Sequence, residues 1–112
     1  MFSRLFACFL SFGMLTETAI AETTDAAAIA RGKELSSYCS GCHGEQGISP
    51  LPENPNLAGQ NNAYIQYALK AYRSGERQGG KAFIMKANAG GLSDREIADL
   101  AAFFSSLPGR QP

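Results

Sequence analysis

Apolar residues recur with helical spacing in three stretches of the chain, which are separated by loops rich in glycine, proline and asparagine. The first stretch begins near Thr24 or Asp25 and places Ile29, Gly32 and Leu35 three residues apart on one face, as in an amphipathic helix. No segment alternates between apolar and polar residues as a strand does, and no internal repeat is present. The pattern predicts an all-α protein.

The second and third predicted helices carry start and stop signals. Asn61 or Asn62 can cap the second helix, and Gly75 is a natural stop for it. Ser93 followed by Glu96 predicts a capping box at the start of the third helix. The apolar positions are Tyr64, Ala68, Leu69 and Tyr72 in the second helix, and Ile97, Leu100, Ala101 and Phe104 in the third.

Two segments between the helices are predicted to be loops. Residues 44–60 contain Pro50, Pro52 and Pro55 together with glycines, a composition that prevents a long helix. This segment is therefore expected to wrap around another group instead of forming a helix. Residues 76–91 contain two pairs of adjacent glycines and are also predicted to be loop-like.

The first part of the chain has the pattern of an export signal. Arg4 precedes an apolar run, and Ala19-Ile20-Ala21 supplies the small residues that a signal peptidase needs. We expect residues 1–21 to be a signal peptide cleaved before Glu22, which leaves 22–112 as one domain in the periplasm or an equivalent lumen. The apolar run is shorter than the roughly 20 residues of a spanning helix, so no membrane span is expected in the mature form.

The charge balance and the cysteine content limit which partners and cofactors the chain can have. Ten Lys and Arg balance ten Asp and Glu, so no global field favours nucleic acid as a partner. Of the three cysteines, Cys8 lies in the predicted signal peptide. In an oxidising compartment Cys39 and Cys42 should form a disulfide, bind a metal or anchor a cofactor.

The sequence Cys39-Ser40-Gly41-Cys42-His43 is the pattern by which heme c is attached covalently. Two thiols on one helical turn can reach the two vinyl groups of one porphyrin, and the next side chain can bind the iron. A thioredoxin-like pair would need a preceding strand, and a zinc site would need a further Cys or His that residues 22–112 lack. A simple disulfide or a chance match stays open.

The second iron ligand follows partly by elimination. His43 is the only histidine, so two histidine ligands from one chain are excluded. Without the signal peptide, Met85 is the only methionine, in a segment predicted to be a loop just before the third helix. A lone methionine is usually a core residue. However, a His/Met pair is an established ligand set for heme iron, so we expect Met85 to be the second ligand.

These residues resemble the class I cytochromes c, above all bacterial single-heme proteins similar to one half of diheme periplasmic cytochromes c. The resemblance implies a class I cytochrome c fold with three main helices and loops around one heme. It also implies that Pro55 accepts a hydrogen bond from His43 and that Gly32 crosses the last helix at Phe103. The matching stretches are 32–44, 55–60, 64–77 and 85–104.

The resemblance further places a basic residue near the heme propionates. Arg77 is the first candidate and Arg73 the second, although an arginine at a helix end is more often a solvated charge. Five residues are interpreted as the wall of the heme pocket or as core, namely Tyr64, Leu69, Tyr72, Phe83 and Ile84.

The predicted function is single-electron transfer with redox protein partners, and no catalytic acid, base or nucleophile set is found, so no enzyme activity is expected. Two alternatives remain. The chain could be the electron-accepting subunit of a larger oxidoreductase, or a ligand-binding heme protein with an open sixth site.

Overall fold

The computed structural model describes residues 17–110, with side chains from residue 25 onward. These residues form helices joined by loops and contain no strand, which confirms the all-α prediction. None of the described helices is long and apolar enough to cross a membrane. The elements are α1 (Glu17–Leu35), a 3₁₀ helix (Ser36–Tyr38), α2 (Ser40–His43), α3 (Asn62–Ser74), α4 (Ala82–Ala89) and α5 (Asp94–Ser106).

The predicted capping signals of α3 and α5 are confirmed. The Asn61 side chain accepts a hydrogen bond from the Tyr64 amide at 3.1 Å, and Gly75 ends α3 in the left-handed conformation with φ of 81°. At the start of α5 the Ser93 hydroxyl accepts from the Glu96 amide, and the Glu96 carboxylate accepts from the Ser93 amide, both at 3.1 Å. Each pair satisfies backbone groups that a helix end leaves without an intrahelical partner.

The first helix begins earlier than predicted. Helix α1 starts at Glu17 rather than near Thr24 or Asp25. Residues 17–24 contain no glycine or proline, so nothing in the local sequence stops the helix from extending upstream. The predicted signal peptide, residues 1–21, lies for the most part outside the described residues and stays a prediction.

The prediction of a loop over residues 76–91 is wrong in its second half, where α4 forms. The eight residues of α4 include three alanines, a methionine and a lysine, which are good helix formers, and no glycine or proline. The paired glycines lie just outside α4 and set its limits instead of preventing it. Met85 is therefore on a helix, not in a loop.

The first and last helices cross at very close range. A Cβ atom added to Gly32 would lie against the carbonyl oxygen of Asp99 and 2.8 Å from the Cβ atom of Phe103. Only a residue without a side chain allows this approach. The core beside the crossing consists of Ile65, Leu100, Ala101, Phe103 and Phe104.

An ion pair also joins the two helices at the crossing. The Arg31 guanidinium donates from Nε to Asp99 Oδ2 at 2.8 Å and from Nη2 to Oδ1 at 2.9 Å. The Asp99 side chain is only 5% exposed, whereas that of Arg31 is 41% exposed. Chiefly through these hydrogen bonds, Arg31 lowers the pKa of Asp99.

This pair predicts a specific acid sensitivity. Because the pKa of Asp99 is lowered in the folded state, its stabilisation is present above the usual carboxyl pKa and is lost as pH falls through the folded value. Thermal denaturation at pH 7 and pH 3 measures this effect. Arg31→Gln should lower Tm at pH 7, and the fall in Tm between pH 7 and pH 3 should be smaller in this variant than in the wild type. Lys33→Gln, which removes an exposed charge from α1 and leaves the pair intact, is the control. An equal acid-induced loss in wild type and Arg31→Gln would contradict the prediction.

Candidate heme-binding site

The two cysteines of the motif lie just after α1, with Cys39 between the 3₁₀ helix and α2 and Cys42 on α2. Cys39 is partly buried and packs against the core, whereas Cys42 is exposed, and both are free thiols in the structure. Burial, and to a lesser degree the nearby Cys42, raises the pKa of Cys39. The Cys39 side chain is thus held against the core, while the Cys42 side chain is exposed.

The imidazole of His43 is buried and held in one orientation. Its Nδ1 lies 2.9 Å from the carbonyl oxygen of Pro55, and the residue is 6% exposed. Since a carbonyl can only accept, Nδ1 carries the proton in this hydrogen bond. The lone pair of the neutral ring is then on Nε2, the nitrogen that can bind a metal.

The loop after α2 folds back to bring Pro55 to His43. Gly44 turns the chain with φ of 81°, which L side chains rarely adopt. The carbonyl oxygen of Gly47 then accepts hydrogen bonds from the amides of Leu57 at 2.8 Å and Ala58 at 3.0 Å. These bonds close the loop and hold the Pro55 carbonyl within hydrogen-bond distance of His43 Nδ1.

Sequence reasoning missed two polar residues that support the motif from this loop. The carbonyl oxygen of Cys42 accepts a hydrogen bond from Asn54 Nδ2 at 3.1 Å. The Ser49 hydroxyl lies 3.0 Å from the same oxygen and 2.8 Å from the Leu51 carbonyl oxygen, and its one proton is shared between these two acceptors. Ser and Asn side chains often satisfy backbone groups in loops, and their presence in a proline-rich loop was the available signal. They hold the C-terminal end of the motif in place.

Met85 lies half-buried on α4, beside apolar side chains that face outward. Phe83 is 72% exposed and Ile84 is 39% exposed, while Tyr64 on α3 is also exposed. The interpretation of these three residues as core is therefore wrong, whereas pocket wall stays a prediction. Of the other two residues in that set, Leu69 packs against the core and Tyr72 is half-buried.

The donor set fits a c-type heme. Two thiols and an oriented imidazole follow one another in the motif, a thioether is available on α4, and exposed apolar side chains suit a flat apolar cofactor.

The two candidate arginines have different surroundings. Arg77 donates from Nη1 to the hydroxyl of Tyr64 at 3.4 Å and lies 4.8 Å from the centre of the Tyr72 ring. Arg73 instead donates to the Leu92 carbonyl at 3.0 Å and to the Asp94 carboxylate at 2.7 Å, which ties α3 to the start of α5. Arg73 therefore stabilises the packing of α3 against the start of α5, whereas Arg77 lies between two tyrosines.

Known proteins are similar to this chain over residues that include both the heme motif and Met85. The family model described as Cytochrome c matches residues 29–108. Cytochrome c-554(548) of Halomonas halodenitrificans is 48% identical over 77 residues, which are 69% of this chain and 93% of the relative. The cytochrome subunit of sulfide dehydrogenase of Chlorobaculum tepidum is 31% identical over 88% of this chain and 83% of the relative.

The fold is shared with a solved structure. Reduced recombinant cytochrome c4 from Pseudomonas stutzeri superposes with a TM-score of 0.68 at 29% identity, covering 74% of this chain and 50% of that one. The chain therefore spans half the length of that cytochrome c4. With this fold, the family match and a relative 48% identical over nearly its full length, the chain belongs to the cytochrome c family and is an electron carrier with covalently bound heme c.

Proposed function

We propose that this protein is an exported, periplasmic carrier of single electrons in which Cys39 and Cys42 anchor one heme while His43 and Met85 bind its iron. The observation that carries the proposal is the buried His43 ring, whose Nδ1 is bonded to the Pro55 carbonyl directly after the Cys-x-x-Cys motif. This hydrogen bond leaves Nε2 as the metal-binding nitrogen and makes it more basic.

Heme c supplies an iron that alternates between the ferric and ferrous states. The thioether of Met85, as a ligand, would favour the ferrous state and so raise the potential. Phe83 and Ile84 would exclude water from the Met85 side, which also disfavours the extra ferric charge. Arg77, held by the Tyr64 hydroxyl and the Tyr72 ring, would offer its guanidinium to a heme propionate.

With His43 and Met85 both bound, the iron would have no position left for a substrate. The chain would then have no catalytic activity of its own and would exchange electrons with redox protein partners. An export signal over residues 1–21 would direct the chain to the periplasm. The pattern of Arg4 followed by an apolar run agrees with secretion, and so does the use of Cys39 and Cys42 as heme anchors.

Intact-mass measurement and a visible spectrum test this proposal together. Protein purified from a host that attaches heme c should have the mass of residues 22–112 plus one heme, and its ferric spectrum should be low-spin. The double variant Cys39→Ala, Cys42→Ala should carry no covalent heme after acid extraction, because no thioether can form. A heme-free wild-type protein, or a high-spin ferric spectrum, would contradict the proposal.

A second candidate function is a cytochrome subunit of a larger oxidoreductase, as in the sulfide dehydrogenase relative. Exposed aromatic rings favour it, since Tyr38 is 86% exposed and Tyr67 is 66% exposed. Sedimentation of the purified holoprotein separates the two functions. A free carrier stays monomeric and is oxidised and reduced reversibly, whereas a subunit lacking its partner self-associates through the uncovered rings.

A further inference from the structure

Helix α4, which carries Met85, buries few of its own side chains in the described fold. Its main helix partner is α3, and its only buried residues are Ala82 and Ala89, which bury little apolar surface. Gly79 and Gly80 lead into it with open space where a side chain would lie. Elements with so little buried apolar surface open at low free-energy cost.

One ion pair connects the start of α4 to the other side of the site. Lys81, the residue before α4, gives the helix no side-chain cap, and its Nζ instead lies 3.2 Å from Glu53 Oε1. Glu53 belongs to the loop whose Pro55 carbonyl bonds His43. The pair therefore joins the His43 side of the site to the Met85 side.

We infer that the ion pair of Lys81 with Glu53 is a latch that holds α4 closed against the His43 loop and so sets how often Met85 leaves the iron. This inference rests on the proposed ligation by Met85. Lys81 and Glu53 are positioning residues, since neither is a ligand. Both side chains are more than half exposed, at 58% and 51%, so the latch is weak and sensitive to salt.

The test is imidazole binding to the ferric holoprotein, followed through loss of the long-wavelength band of methionine-bound iron. At saturating imidazole the rate reports departure of Met85. Lys81→Gln and Glu53→Gln should each raise that rate about 1.5- to 5-fold, the range expected for one exposed ion pair. The double variant should equal either single one, because both remove the same contact. Exchanging the charges, Lys81→Glu with Glu53→Lys, should restore the wild-type rate.

Salt and a matched variant complete the test. Raising the salt concentration should speed Met85 departure in the wild type and leave it unchanged in Lys81→Gln. Lys86→Gln is the control, because it also removes one positive charge close to Met85 and no carboxylate pairs with Lys86 among the described side chains. Hydrogen exchange of the α4 amides should be faster in Lys81→Gln and unchanged in Lys86→Gln.

The outcomes separate this inference from the function on which it rests. If the band is present but Lys81→Gln and Glu53→Gln bind imidazole at the wild-type rate, the latch is wrong and the His/Met carrier stands. An equal increase in Lys86→Gln would also overturn the latch, because it would show a general effect of charge. A ferric protein without the band would overturn both.

Discussion

Met85→Ala is expected to lower the reduction potential by about 0.2 V or more, within the roughly 0.8 V that axial ligation spans in heme proteins. The loss of the thioether removes the ligand that favours ferrous iron. At 59 mV per tenfold for one electron, a fall of this size changes the redox equilibrium by about three powers of ten. Potentiometric titration measures the potential directly. The variant should also become high-spin in the ferric state and bind small ligands without a lag.

Two further variants make the Met85 result specific. Met85→His should stay low-spin, because imidazole also binds iron, but at a potential below that of the wild type. Lys86→Gln changes the adjacent exposed residue and should leave the spectrum and the spin state unaltered. If Met85→Ala kept the low-spin spectrum with its long-wavelength band, another group would be the ligand and the sixth position would need a new assignment.

Gly32→Ala is expected to reduce the free energy of unfolding by about 3 kcal/mol and Tm by more than about 10 °C. Intrinsic helix propensity favours alanine over glycine by about 1 kcal/mol, so a surface glycine in α1 would gain stability from this change. At Gly32 the added methyl group would meet the backbone of Asp99 and the Cβ atom of Phe103, and neither can move without separating α1 from α5.

Gly91→Ala is the matched control, because a Cβ atom there would meet nothing within 4 Å. It should change Tm little, in either direction. Thermal denaturation of the three holoproteins, monitored by circular dichroism, makes the comparison. If Gly32→Ala were as stable as the wild type, the close crossing of α1 with α5 would be wrong, and with it the structural reason for a glycine at this position.

Local signals in the sequence were enough to predict the capped helices and the heme motif. Asn61 and Ser93 bond amides only three residues away, so their effect does not depend on the rest of the fold. The Cys-x-x-Cys-His spacing is also local, since one helical turn places its side chains. The resemblance to class I cytochromes c carried the prediction further, to the closeness of Gly32 and Phe103, which the crossing of α1 and α5 confirms.

The sequence interpretation was wrong where composition or residue type is compatible with more than one structure. The glycine pairs in residues 76–91 predicted a loop, yet eight of the nine residues between them form α4, which is rich in good helix formers and packs on α3. Composition over a whole segment cannot separate a loop from a short helix bounded by glycines. Likewise, apolar Phe83 and Ile84 are compatible with core or pocket wall by type alone, and only the tertiary structure shows them facing outward.

The sequence by itself determined the helices with local caps and the heme motif, because these depend on residues within a turn of one another. It also limited the possible iron ligands, because residues 22–112 contain one histidine and one methionine. Only the tertiary structure decided the long-range polar contacts. Arg31 meets Asp99 across 68 residues, Lys81 meets Glu53 across 28, and the amide of Asn54 reaches the Cys42 carbonyl across 12. Such pairs form because packing of α1 on α5 and closure of the His43 loop bring them within hydrogen-bond distance, and no periodicity along the chain records that approach.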